Sequence, residues 1–142
     1  MGTKAEKKTG AIVAQDALAS YCPDLTEWPA RWHYEERDLL PGQQIVDCFK
    51  PFLLHLLSLG LSPKTLRKHR DNLWLLGGEL IRELWETPKL RKRPVEELID
   101  SAVDDDGGPR LSHRQSTQEQ CSFDSTCRKF HRFLRERQSP LG

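Results

Sequence analysis

From Gln43 to Leu59 the apolar residues Ile45, Val46, Phe49, Phe52, Leu53, Leu56 and Leu57 recur at spacings of three and four. That period places them on one side of a helix, and Gly60 follows where a left-handed residue closes a helix end. Pro51 lies inside the pattern and removes a backbone donor, so a kink or restart is expected near Lys50. His55, beside the stripe, reads as structural rather than as a ligand.

Ser62 and Pro63 are an N-cap followed by a proline suited to the first helical position. Leu66, His69, Leu73, Leu76, Leu80 and Leu84 then keep one phase across the adjacent Gly77 and Gly78. The unbroken phase predicts one helix running to about Trp85 and stopped by Thr87 and Pro88, with a break at Gly77 as the alternative. Each helical glycine costs roughly 1 kcal/mol against alanine, which close passage of a second helix would offset.

Pro94 opens a short third helix with Val95, Leu98, Ile99 and Ala102 on one side. "DDDGGPRLSHRQ" reads as an exposed loop. Ser116 with Glu119 forms a capping-box pattern, and Phe123, Cys127, Phe130 and Leu134 follow at i, i+4, i+7 and i+11. No strand alternation competes. The prediction is an all-α domain, a bundle of four main helices over residues 41–138 with a short tail at 139–142. Residues 1–40 hold no sustained period and read as an irregular extension, with the first ten residues disordered. Trp28, Trp32 and Tyr34 are large enough to dock on the domain and cover apolar surface. The other reading makes Trp28 and Trp32 a hook for a partner protein.

A chain of 142 residues with 37% apolar content suits one core. No apolar run is long enough to span a bilayer, the N-terminus carries no clear cleavage signature, and the myristoylation pattern fails at Glu6. Cys22, Cys48, Cys121 and Cys127 lack C-x-x-C spacing and fit reduced thiols. A cytoplasmic protein is expected.

The net charge of +1 conceals an uneven distribution: residues 61–93 carry +5, residues 94–109 carry −6 and residues 110–142 carry +4. Lys64, Arg67 and Lys68 lie off the Leu66–His69–Leu73 stripe, at a helix N-terminus whose free N–H groups and dipole suit a phosphate. Arg128, Lys129, Arg132 and Arg135 form a basic side on the last helix, and Lys89, Arg91, Lys92 and Arg93 add a third cluster. Each cluster alone reads as a solvated face; three together point to an anionic partner.

Catalytic patterns are missing from the sequence: no Gly-rich phosphate loop, no nucleophile elbow and no H-E-x-x-H. Cys127 and His131 stand at i, i+4, but a closed metal site needs four ligands and Cys127 falls on the apolar stripe, so a core thiol is expected. Asp104, Asp105 and Asp106 lack the alternating ligands of a calcium loop and read as a solvated acidic turn. No cofactor and no metal are expected.

"FLLHLLSLGLSPKTLRKHRDNL" resembles the first two helices of the core-binding domain of tyrosine recombinases and phage integrases, a small SAM-like helical domain that precedes their catalytic domain. The shared pattern is an apolar helix ending at Gly60, then Leu61, Ser62, Pro63, any residue and Thr65, then a basic helix; His69 stands where that family usually has tyrosine. "STCRKFHRFLRER" is similar to the closing helix of the same domain. The resemblance covers about residues 43–137. It implies half of a clamp around duplex DNA, with Lys64, Thr65, Arg67 and Lys68 meeting phosphates and Arg128, Lys129 and Arg132 assisting. It also implies no strand cleavage, because the chain ends five residues after Arg137, "LSHRQ" sits inside the helical domain, and neither Tyr21 nor Tyr34 has a catalytic context. The expectation is therefore a non-enzymatic double-stranded-DNA-binding module, with Arg91, Lys92, Arg93 and Arg135 extending its basic surface. An adaptor for a recombinase or other protein, and a truncated integrase remnant, are the alternatives.

Overall fold

The computed structural model describes residues 14–111 and 116–138 and is helical throughout, without a strand among them. Helix α1 covers residues 14–21. A 3-10 turn at Leu25–Glu27 leads into α2 (Trp28–Trp32), and a second at Glu36–Asp38 leads into α3 (Leu39–Ser58). Helix α4 (Pro63–Glu86) is followed by a 3-10 turn at Pro88–Lys92, α5 (Val95–Ala102) and α6 (Thr117–Gln138). The first ten residues, most of "LSHRQ" and the tail at 139–142 lie outside the described residues.

The local signals act where the sequence puts them. Ser62 Oγ accepts from the Thr65 N–H at 3.2 Å, and Pro63 takes the first helical position. Gly60 has φ +69°, the left-handed conformation that lets α3 end and the chain turn back into α4. Ser116 Oγ accepts from the Glu119 N–H at 3.1 Å to open α6. α3 begins four residues earlier than its apolar period and runs through Pro51 as one helix, so the expected restart near Lys50 is not found. Its stripe supplies contacts on both sides of Pro51, which hold the helix together despite the lost donor.

Gly77 and Gly78 sit inside an unbroken α4, and the helix that crosses them is α2. The Trp32 ring lies flat against the backbone there; a Cβ at Gly77 would fall 2.1 Å from Trp32 Cζ2. Trp32 Nε1–H donates to the Trp74 carbonyl at 3.0 Å, and the ring meets Phe49 edge-on at 6.4 Å. Trp28 stands 5.6 Å from Trp32. Their rings are 2% and 6% exposed, so they fill the core and offer no hook to a partner. Tyr21, Cys22, Leu25, Trp28 and Trp32 belong to the same hydrophobic cluster as the stripes of α3, α4 and α6. The segment before residue 40 thus closes the core rather than hanging from it. At the other side of α3, Phe52 stacks with Phe130 and Phe133 at 4.9 and 5.4 Å, and His55 lies on Phe133 at 4.9 Å, a structural role.

Candidate nucleic-acid interface

The N-terminal end of α4 carries the basic residues outward. Lys64, Arg67 and Lys68 are exposed, and among the described residues none has a carboxylate within ion-pair distance. Thr65 is half-buried, and its hydroxyl accepts from Ser62 Oγ at 3.0 Å, which ties it to the cap. Arg70 turns the other way: its Nη1 donates to the Tyr21 carbonyl at 3.0 Å and its Nε meets Asp71 at 3.1 Å. The Tyr21 hydroxyl in turn donates to the Leu66 carbonyl, so the end of α1 is stitched to α4.

α4 and α6 pack together along a polar seam. Asn72 Nδ2 donates to the Ser122 carbonyl at 3.1 Å and to Thr126 Oγ1 at 2.9 Å, while His69 Nδ1 pairs with Thr126 Oγ1 at 2.7 Å. Positions that rise along α4 meet positions that fall along α6, so the two helices run antiparallel. The Thr126 hydroxyl thus serves both Asn72 and His69 Nδ1 inside the seam. Burial, and then the ammonium groups of Lys68 and Lys129, push the His69 pKa down to about 4. Lys68 adjoins His69 in the chain, and Lys129 stands about one helical turn beyond Thr126, its partner across the seam.

The remaining cations of α6 fan away from the seam. Lys129 shares the side of Ser122 and Thr126. At about 100° per residue, Arg132 lies about 60° further out, and Arg128 and Arg135 lie 100° or more away, toward the loop at 104–108. Arg128 Nη1 donates to the Asp106 carbonyl at 3.4 Å, and His131 Nε2 faces Asp105 at 3.7 Å. The acidic turn thus occupies that flank of α6. It is an Asx turn, with Asp104 Oδ1 accepting from the N–H groups of Asp106 and Gly107.

The third basic cluster is not brought to this surface. From Lys68 to the end of α4 is eighteen residues, about 27 Å at roughly 1.5 Å per residue, and the 3-10 turn lies beyond that. Arg91 is committed to the fold: its Nη2 reaches Asp38 Oδ1 at 2.6 Å and Glu35 at 3.6 Å, and it is not a free cation for DNA. Arg93 pairs with Glu97 at 3.6 Å and donates to Ser101 Oγ at 3.1 Å. Lys89 and Lys92 are exposed and without a carboxylate partner among the described residues.

Asp38 and the pair Asn72–Thr126 escaped the sequence reading, since their partners lie about fifty residues away. Trp74 escaped it too, although a tryptophan seven residues after Arg67 on the polar side of α4 was a visible signal. Burial pushes the Cys22 thiol up to about 12 and Cys48 up to about 11, and raises Cys127 as well, which disfavours the thiolate at these three positions. Cys127 packs against Gly108, where a Cβ would come within 2.4 Å of its sulfur, which fits the core thiol expected from the apolar stripe. Among the described residues no three His, Cys, Asp or Glu side chains gather as a metal set, and no helix is long and apolar enough to cross a membrane. No protein-family model, curated protein or solved structure matches this chain.

Proposed function

We propose that this chain is a non-catalytic cytoplasmic module that grips the backbone of duplex DNA with the N-terminal end of α4 and the adjoining side of α6. The observation that carries the reading is the His69–Thr126 contact, which joins the basic end of α4 to the side of α6 that bears Lys129, with Lys64, Arg67, Lys68 and Arg132 exposed and free of carboxylate partners among the described residues. The resemblance of "LGLSPKT" and the basic helix after it to the recombinase core-binding domain supports the same partner. Five cations on one surface predict that log affinity falls against log salt with a slope of about −4 to −5. A salt-resolved binding titration on random duplex tests this. Reversing Lys64, Arg67 and Lys68 to Glu abolishes binding with helical circular dichroism unchanged, whereas Lys92→Glu leaves the slope as it was. Binding that is insensitive to salt, or that survives the triple reversal, overturns the proposal.

A protein-adaptor reading no longer has Trp28 and Trp32 to rest on. What favours it is the exposed pair Tyr34 and Trp85, with ring centroids 5.6 Å apart, and Leu40 at 67% exposure. Capture of a partner in high salt that is lost on Trp85→Ala would favour it over the DNA reading.

A further inference from the structure

Next to the basic end of α4 lies a cleft of about 300 Å³ between that helix and the segment leading into α2. Asp24, Trp28 and Arg31 line it from one side, and Arg70, Asp71 and Trp74 from the other. Trp74 is 39% exposed although it sits in the middle of a long packed helix. Arg67, Asp71 and Trp74 fall within about 60° of one another on α4, so the cleft continues the outward face that carries Arg67 and Lys64. The rise from Arg67 to Trp74 is about 10 Å, some three nucleotides of a DNA strand.

The composition of this cleft differs from that of the neighbouring basic surface. Two guanidinium groups are balanced by two carboxylates, so the cleft has no net attraction for a phosphate. It offers an aromatic face, donors from Arg31 and Arg70, and acceptors from Asp24 and Asp71. Arg70 spends Nε on Asp71 and Nη1 on the Tyr21 carbonyl, and Asp71 remains largely in solvent with acceptor capacity to spare. Trp28, another lining residue, has a buried indole N–H without a hydrogen-bond partner. The matching ligand is a flat ring with donors on one edge and acceptors on another.

We infer that this cleft takes an unpaired guanine of the bound DNA, stacked on Trp74, with its N1–H and N2–H₂ edge toward Asp71 and its O6 and N7 toward Arg31 on the facing wall. The inference rests on the duplex-binding reading above and deepens it: the favoured substrate is a duplex end or junction that presents a free base. Guanine fits better than the other bases because it alone joins an adjacent imino and amino donor pair, which a carboxylate can accept, to the O6 and N7 acceptors that suit arginine. Stacking of one base on an aromatic side chain makes roughly a tenfold gain in affinity the expected size.

The test uses the full chain and three labelled DNAs, compared at each point of one salt series: a blunt duplex, the same duplex with one protruding guanine, and the same with one protruding thymine. The guanine end binds about tenfold tighter than the blunt duplex, and the thymine end gains less. Trp74→Ala removes the guanine advantage and leaves blunt-duplex affinity and helical circular dichroism unchanged, Trp74→Phe retains most of it, and Asp71→Asn narrows the gap between guanine and thymine. Equal affinity for the three DNAs, or an advantage that persists in Trp74→Ala, overturns the inference. If the blunt duplex binds with the expected salt slope and the protruding base adds nothing, only the cleft assignment falls; if none of the three binds, the duplex reading falls with it.

Discussion

The Asp38 carboxylate and the Arg91 guanidinium meet at 2.6 Å across fifty-three residues of sequence, and Asp38 has no exposed surface. The same carboxylate accepts the N–H groups of Tyr34 at 2.9 Å and Glu35 at 3.1 Å, so it fixes the turn into α3 as well as the one out of α4. Burial pushes the Asp38 pKa up, but Arg91 and the two backbone donors outweigh it and hold the carboxyl below its ordinary value. A lowered folded-state pKa stabilises the fold above the ordinary carboxyl pKa of 3.8, and the contribution fades as pH falls through the folded value. Arg91→Ala strands a buried charge and costs about 3–5 kcal/mol at neutral pH. In that variant only the Tyr34 and Glu35 N–H groups oppose burial, so Asp38 takes its proton at higher pH than in the parent protein and part of the loss returns as pH falls. Asp38→Ala costs less, because Arg91 keeps an outlet to solvent. Urea midpoints of the three proteins at pH 7 and pH 4 check the order and the opposite pH trends.

Two adjacent glycines of α4 should answer differently to the same methyl group. A Cβ at Gly77 would stand 2.1 Å from Trp32, whereas at Gly78 the nearest atom is 3.5 Å away, an ordinary contact. Gly77→Ala forces the Trp32 ring from its slot and destabilises by about 2 kcal/mol, overpacking of about 1–3 kcal/mol or more against a helix-propensity gain of about 1 kcal/mol. Gly78→Ala is neutral or stabilising by up to about 1 kcal/mol. Thermal unfolding of the two variants, followed by circular dichroism, separates them.

His69 is a base whose folded-state pKa, about 4, lies below the ordinary 6.5, so the unfolded chain binds the proton first. Stability is complete above pH 6.5 and is lost as pH falls from there toward 4, by about 3 kcal/mol at full protonation. Chemical denaturation between pH 7.5 and 4 shows the decline, and His69→Gln, which keeps a side-chain acceptor without the titration, flattens it above pH 5. A decline of equal size in His69→Gln would assign the acid sensitivity elsewhere.

Much of the helical frame was legible because its signals are local. Ser62–Pro63, Gly60 and the Ser116–Glu119 pair each act within four residues, and the leucine phase across Gly77 and Gly78 correctly implied one helix with a close neighbour. The identity of that neighbour was not legible: "WPARW" is too short to show a helical period, and only the folded chain places Trp32 over Gly77. Charge was the least transparent quantity. A count along residues 61–93 treats Arg91 like Lys68, while the fold sets Arg91 against Asp38, fifty-three residues away, and leaves Lys68 exposed.

The Trp32 slot also governs how this polypeptide can be divided. A fragment begun at residue 41, where the regular apolar period suggests a natural start, would lack the indole that fills the groove over Gly77 and shields Phe49. It would expose a greasy furrow along the longest helix, and self-association through that furrow is its expected fate.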